Sequence, residues 1–337
     1  MLLPAPYLLH LGDVTDQIQV KTSRGVAVWR PELCVGQYRL PGASIDLGLP
    51  DLSFEEAVAA GARTLIYGVA NAGGVLGERA VASIVDALEA GMNVAAGLHD
   101  RLADVDIIRD TAAARGLSLF DVRHPPSGLK VGNGVPRPGR RLLTVGTDCS
   151  VGKMYATLAL EREMRRRGWL ADFRATGQTG VMIAGAGMSI DAVVADFISG
   201  AAEMISPARD DDGWDLIEGQ GSLFHPSYAG VSLGLLHGAQ PDALVLCHDP
   251  SRPNMRGMPD RALPGLPECL EANLVNARLT NPDVKAVGIC LNTSAMGQAE
   301  ADELCGRTAE QLGLPCQDPI RHGVDRIVDR VRACFGA

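Results

Sequence analysis

Lysine is scarce in this sequence. Of 31 basic residues only Lys21, Lys130, Lys153 and Lys285 are lysines, and acidic residues outnumber basic ones to give a formal net charge of -9. That balance excludes a general attraction to nucleic acid or to anionic membranes, although a local cationic pocket remains compatible with it. Long apolar runs are also missing. No stretch approaches the roughly 18 uninterrupted apolar residues of a membrane span. The opening "MLLPAPYLLHLGD" is apolar but short, is broken by Pro4 and Pro6, and has neither a basic start nor a small-residue cleavage site. It is not read as a signal peptide. The eight cysteines form no C-x-x-C and keep no regular spacing, and several sit in apolar runs such as "ALVLC" and "AVGIC". Such a pattern argues against a disulfide frame or a zinc site. It predicts reduced, buried thiols in a cytoplasmic protein.

What is present reads as an ordinary globular chain, with 46% hydrophobic and 21% charged residues. Its 337 residues predict two domains at roughly 150 residues each. In the first part "YLLHLG" and "GVAVW" look like strands. "SFEEAVAAG" opens with Ser53 as N-cap and Glu56 three residues on, a capping box. "TLIYGVA", "MNVAAGL" and "LSLFDV" follow as strands, separated by the helical patterns "ERAVASIVDALEAG" and "VDIIRDTAAARG". Residues 123–141, "RHPPSGLKVGNGVPRPGRR", are rich in Pro and Gly and have no apolar period, so a boundary falls there. The expected division is 1–125 as a Rossmann-like domain, 126–141 as a linker and 142–337 as a second domain. In the latter, "RLLTVG", "LADFRATG", "WDLIEG", "ALVLCHD" and "KAVGICLN" read as strands. "GKMYATLALEREMRRRG", "DAVVADFISGAAEMI", "AEADELCGRTAEQLG" and "VDRIVDRVRACF" read as helices. The fold class is therefore α/β, two parallel sheets covered by helices on both faces.

The segment "VGTDCSVGKM" lies between a strand and a helix. Gly146, Thr147, Asp148, Cys149, Ser150, Val151, Gly152 and Lys153 have the make-up of a phosphate-binding loop. Glycines let backbone N–H groups surround phosphate oxygens, the helix N-terminus adds positive potential, and Lys153 adds a full charge. Two details depart from the strict pattern. Five residues separate the glycines instead of four, and Met154 stands where such loops carry Ser or Thr. The missing hydroxyl is the group that ligates Mg²⁺ in phosphoryl transfer, and a thioether is a poor substitute for a hard oxygen. The loop thus keeps phosphate binding and loses its usual metal position, unless Mg²⁺ is held through waters, Thr179 or Glu218.

"GTDCSVGK" resembles the loop of dethiobiotin synthetase and its relatives. "FRATGQTG" (173–180), "DLIEGQGSL" (215–223) and "AVGICLN", ending at Asn292, resemble the ligand loop, acidic switch loop and late strand of those enzymes. The resemblance implies a P-loop NTPase-like fold over about 142–335. The whole chain resembles a narrower two-domain family with a GTDC-x-VGKM loop, a K-T-[AS]-x-G segment and a G-x-H segment. These match "KTSRG" (21–25) and "GLHDRL" (97–102). Members of that family are D-glutamate N-acetyltransferases, which pass acetyl from acetyl-CoA to the amine of D-glutamate. The resemblance implies acetyl-CoA as co-substrate and an amino-acid acceptor; Met154 leads to the expectation of no metal, the net charge to that of no nucleic-acid or membrane partner, and a homo-oligomer, taken as a dimer, is expected.

Acetyl transfer to an amine needs a base, donors for the thioester oxygen and cations for the acceptor's carboxylates. Candidate bases are Glu218, His225 and Asp249, all near carboxyl ends of strands, with His99 in the first domain as a further histidine. Arg174 is a candidate partner for coenzyme phosphates, and Met154 completes the loop. Lys21, Thr22, Arg24 and His99 suit a carboxylate pocket in the first domain. Cys149, at a helix N-terminus beside Lys153, is a candidate thiolate but a weaker one than direct attack. Two other classes stay open: an ATP- and Mg²⁺-dependent kinase or ligase of the dethiobiotin synthetase type, and a nucleotide-binding module without chemistry. "GVANAGG" and "AAGLHD" are also compatible with a dinucleotide site, but neither forms G-x-G-x-x-G.

Overall fold

The computed structural model describes residues 2–16, 19–69 and 76–336. The chain divides into two compact units, 1–126 with 177–192, and 127–176 with 193–337. Each is built on its own parallel sheet. The expected boundary near 125 left out the return of 177–192 to the first unit. The Pro/Gly-rich stretch packs with the second unit: Arg137 donates to the carbonyl of Gly238 at 2.7 Å, and the N–H of Asn133 donates to Glu203 at 3.0 Å.

In the first unit the strands are β1 (Tyr7–Gly12), β2 (Cys34–Arg39), β3 (Thr64–Tyr67), β4 (Asn93–Ala96) and β5 (Leu119–Asp121). They lie in the order β2-β1-β3-β4-β5, all parallel. This is a doubly wound order, with its switch point between β1 and β3. Helices α1 (Lys21–Trp29), α2 (Phe54–Ala59), α3 (Glu78–Glu89) and α4 (Asp106–Arg115) connect them. Phe54, Ile84, Leu88 and Ile108 from α2, α3 and α4 bury one core with Leu8, Leu65 and Val94. The capping box of α2 forms as its sequence predicts, Ser53 Oγ accepting from the N–H of Glu56 and the Glu56 carboxylate from the N–H of Ser53. "GVAVW", expected as a strand, is the second half of α1. Thr22, Val26 and Trp29 are buried at helical spacing, and that face overrides the strand preference of valine. Strand β2, which the sequence reading passed over, follows it. Most of "GVANAGG" falls on 70–75, outside the described residues.

In the second unit the strands are β6 (Arg140–Gly146), β7 (Ala171–Arg174), β8 (Trp214–Ile217), β9 (Ala243–His248), β10 (Lys285–Leu291) and β11 (Cys316–Gln317). They lie in the order β11-β10-β9-β6-β8-β7, again parallel. Their near-continuous buried runs are what a sheet covered on both faces requires. The helices are α5 (Lys153–Arg166), α7 (Ile198–Ile205), α8 (Ala229–Ala239), α9 (Leu266–Ala277), α10 (Gln298–Leu312) and α11 (Asp325–Phe335). Helix α6 (Gln178–Ala184) lies in the returning segment and packs on α1, where a Cβ on Gly25 would stand 3.1 Å from Ile183. "DAVVADFISGAAEMI" was expected as one helix. It is instead two short 3₁₀ turns and α7, because Val194 takes an extended backbone with ψ 138°.

Helix α5 carries the candidate loop at its start, so its anchoring matters. Glu163 accepts from Arg166 Nε at 2.7 Å and from Arg167 Nε at 2.6 Å, while Arg167 reaches Asp329 on α11 at 2.5 Å. The paired guanidiniums hold the Glu163 carboxyl at about 2 against an ordinary 4.5. A depressed carboxyl contributes stability above its unfolded pKa and loses it as pH falls through the folded value. Glu163→Gln should therefore cost about 1–3 kcal/mol at pH 7. In urea unfolding the deficit should shrink below pH 4.5 and vanish near pH 2. A deficit independent of pH would mean that packing, not charge, holds the site.

Candidate functional site

The carboxyl edge of the second sheet gathers three loops. The first follows β6. At Gly146 a Cβ would stand 2.8 Å from Val151 and 3.2 Å from Lys153 Nζ, so only glycine lets the loop fold back on the strand. Ser150 and Gly152 take left-handed backbone, φ 56° and 100°. No side chain caps α5 at Gly152, so the first N–H groups of the helix are left for a ligand or solvent. Lys153 is buried. Its Nζ donates to the carbonyls of Asp148 at 2.7 Å and Gly221 at 2.8 Å, leaving one of its three protons for an anion. Burial lowers its pKa, opposed by nearby acidic groups. Met154 is half-buried in the first turn.

The second loop follows β8. Gly219 can only be glycine: a Cβ there would lie 1.7 Å from the carbonyl oxygen of Thr144. Its N–H donates to Thr144 Oγ1 at 3.0 Å, and Ser222 Oγ donates to the carbonyl of Thr147 at 3.1 Å. The Glu218 carboxylate accepts the N–H of Thr176 at 3.0 Å, and its own carbonyl accepts Thr176 Oγ1. His225 is buried. Its Nδ1 accepts from the N–H of Ser227 at 3.2 Å, so the ring proton sits on Nε2, which faces the carbonyl of Arg256 at 3.2 Å.

The third loop follows β9 and supplies residues that the sequence reading missed. Arg252 donates to the carbonyl of Cys149 at 2.9 Å and pairs with Asp148, while Arg256 reaches Ser150 Oγ with its guanidinium. The N–H of Arg256 donates to Asp148 at 2.7 Å. Asp148 is completely buried and also accepts the N–H of Cys149 at 2.6 Å, with His225 Nε2 4.0 Å away. Asp249 accepts from Ser251 Oγ at 2.6 Å and from Asn292 Nδ2 at 3.2 Å. Thr147 Oγ1 lies 2.9 Å from Nδ1 of His248. Two arginines in "HDPSRPNMR", directly after a strand that ends at a ligand edge, were the available signal.

One expectation changes. Arg174 does not sit among these loops. Its guanidinium pairs with Asp215 at 2.8 Å and Asp172 at 3.7 Å, in a network that includes Arg209. Cys149 is half-buried, and burial raises its pKa against the opposing pull of Lys153, Arg256 and Arg252. Among the described residues no group of three or more His, Cys, Asp or Glu is arranged to hold a metal ion, and no helix is long and apolar enough to cross a membrane.

In the first unit Lys21 is exposed at the start of α1, Arg24 is half-buried and Thr22 is buried, its hydroxyl 3.1 Å from that of Thr179. His99 is exposed beyond β4. His10, near the carboxyl end of β1, is only 1% exposed, and neither ring nitrogen has a hydrogen-bond partner among the described residues. Burial drives its pKa down to about 4, so it is neutral at physiological pH.

A Rossmann-like parallel sheet followed by a P-loop parallel sheet, with a cationic loop lacking its hydroxyl, defines the class. Residues 130–328 match the family described as "Domain of unknown function (DUF1611_C) P-loop domain", and 39–125 match its "DUF1611_N Rossmann-like domain". A curated relative from Pseudoalteromonas sp, named D-glutamate N-acetyltransferase, is 49% identical over 328 residues, covering 97% of this chain and 99% of the relative. One of the same name from Tritonibacter scottomollicae is 49% identical over 332 residues, covering 98% of this chain and 100% of the relative. The crystal structure of a DUF1611 family protein from Anabaena variabilis superimposes with a TM-score of 0.84 at 33% identity, covering 98% of this chain and 100% of that one. The chain belongs to this DUF1611 family, the family of its two D-glutamate N-acetyltransferase relatives.

The buried Asp148 carboxylate joins the P-loop to the third loop. Asp148→Asn should lower stability in urea unfolding by about 2–4 kcal/mol, because Arg252 and a backbone N–H lose a charged acceptor. An unchanged midpoint would mean that the loops hold each other by other contacts.

Proposed function

We propose that this protein is a D-glutamate N-acetyltransferase, transferring the acetyl group of acetyl-CoA to the amine of D-glutamate. The observation that carries the reading is the 49% identity to two curated enzymes of that name over nearly the whole of each chain. The loop geometry supports it. A thioester donor brings phosphates that need a cradle, while its chemistry lies at a distant carbonyl and needs no metal at the phosphates. Gly146 and Gly219 leave the space that a Cβ would fill, and Lys153, Arg252 and Arg256 supply charge where Met154 offers no hard ligand.

In this proposal the backbone N–H groups from 147 to 153 and Lys153 hold the phosphates, with Arg252 and Arg256 in the place first given to Arg174. The acceptor's carboxylates are held by Lys21, Arg24, Thr22 and His99 of the first unit. The acceptor amine loses a proton as its nitrogen bonds to the acetyl carbon and the C–S bond breaks, releasing the thiol of CoA. The proton acceptor is drawn from Glu218 and Asp249, carboxylates in the loops after β8 and β9. His225 has Nδ1 engaged by Ser227 and therefore shapes the loop. The proposal includes a cytoplasmic location and a homodimer.

The same cradle would accept a nucleoside triphosphate, so the decisive assay separates the two. Thiol release from acetyl-CoA should be faster with D-glutamate than with L-glutamate or other D-amino acids, and should survive excess EDTA within a few-fold. Abolition by EDTA, rescue by Mg²⁺ and ADP formed in step with product would move the protein to the ATP-dependent class.

Lys153→Ala should weaken CoA binding by about 1.5–3 kcal/mol, roughly 10- to 150-fold, the worth of a charge-assisted phosphate contact. Calorimetry with CoA reads this directly, and unchanged affinity would place the coenzyme elsewhere.

A further inference from the structure

His10 is buried where an apolar ring would fit better. It lies on β1 opposite Tyr38 of β2 and Tyr67 of β3, so the three side chains share one face of the sheet. The tyrosine ring centroids stand 5.5 and 4.9 Å from the imidazole. Within this aromatic row neither imidazole nitrogen is hydrogen-bonded among the described residues, an arrangement that costs stability. Such a group calls for an explanation, and its place in the fold supplies one.

His10 stands at the switch point between β1 and β3, on the carboxyl side, where doubly wound sheets bind their ligands. Gly12 follows it with left-handed backbone, φ 65°, and the space that a Cβ would take there is bounded by His10 Cε1 at 3.7 Å and Val69 at 3.4 Å. Cε1 lies between the two ring nitrogens, so the polar edge of the imidazole is turned toward that space. Gly68, at the end of β3, admits no side chain, because a Cβ would stand 1.9 Å from Ser23 Oγ. Ser23 Oγ also donates to the carbonyl of His10 at 3.3 Å. The first turn of α1 is thus drawn against the ends of both strands. It has no side-chain cap and no acidic residue, so its N–H groups favour an anion. Asp13, the neighbouring carboxylate, is paired with Arg79 at 2.9 Å.

We propose that His10 is an acceptor-binding residue, whose ring N–H donates to a carboxylate of the amino acid that the first turn of α1, with Lys21 and Arg24, also attracts. The inference rests on the acetyl-transfer reading and adds to its acceptor pocket a residue from the floor of the switch point. Burial keeps the free ring neutral, with a pKa of about 4, so it presents one donor and one acceptor nitrogen. A carboxylate at the donor nitrogen completes a hydrogen bond that the free protein leaves unmade, and a ligand without one leaves the ring unpaired.

The test measures thiol release from acetyl-CoA by the full-length wild type, His10→Phe and His10→Gln. A phenyl ring suits the aromatic row and removes the unmet polar group, so the thermal melt of His10→Phe should equal or exceed that of the wild type. Its KM for D-glutamate should rise about tenfold or more, the worth of one hydrogen bond to a charged group, while its KM for acetyl-CoA stays within about twofold. His10→Gln keeps an N–H donor and should recover part of the loss. A histidine that only packs would give the reverse, a lower melt with both KM values unchanged. The wild type reads the same contact without a variant, through carbon-13 labels at histidine Cε1. The His10 signal is recognised by its titration near pH 4, and D-glutamate should shift it whereas CoA alone should not. A KM for D-glutamate unchanged in both variants, or a His10 signal that D-glutamate leaves in place, would overturn this inference alone: water or packing would then satisfy the ring. A wild type that releases no thiol with D-glutamate would refute the acetyl-transfer reading, and this inference with it.

Discussion

The geometry of the second unit's ligand edge depends on one buried carboxylate. Asp148 takes hydrogen bonds from two backbone N–H groups and the Arg252 guanidinium, and it carries no solvent exposure. Taking a carboxylate out of water is costly unless its lone pairs are filled, and here residues more than 100 positions downstream fill them. The P-loop therefore has its shape only when the loop after β9 is in place. Arg252 and Arg256 are brought to the P-loop by the same contacts.

Lysine and glycine set the second constraint. Lys153 is folded onto carbonyls of its own loop and of the loop after β8, which ties the first two loops as Asp148 ties the first and third. Gly219 permits the second loop to pass against Thr144 at a distance no side chain allows. Charge and close backbone approach act together: an ammonium can be buried here because oxygens surround it, and oxygens can surround it because two glycines leave room. The loop keeps this closed shape with Met154, half-buried, in place of a hydroxyl after the lysine.

The polar groups of the edge fall into two kinds. His225 and Asp148 have their hydrogen-bonding capacity largely filled by protein, which suits residues that hold loops. Glu218 and Asp249 stand at the same edge, each accepting from groups of neighbouring loops: Glu218 from the N–H of Thr176, Asp249 from Asn292.

The sequence by itself determined the two parallel sheets, the loop between β6 and α5, and the cap of α2, because each is written in spacings within a dozen residues. Apolar periods, a Ser with a Glu three on, and glycines bracketing a lysine need no distant partner to be read. Tertiary structure alone decided the rest. "GVAVW" became helix because a buried face at Thr22, Val26 and Trp29 outweighed local preference. Residues 177–192 joined the first unit, and Arg174 was drawn to Asp215 while Arg252 and Arg256 took the loop. In each case the partner is chosen by chain folding over tens to hundreds of residues, and the burial that fixes the choice does not exist until the sheet has formed.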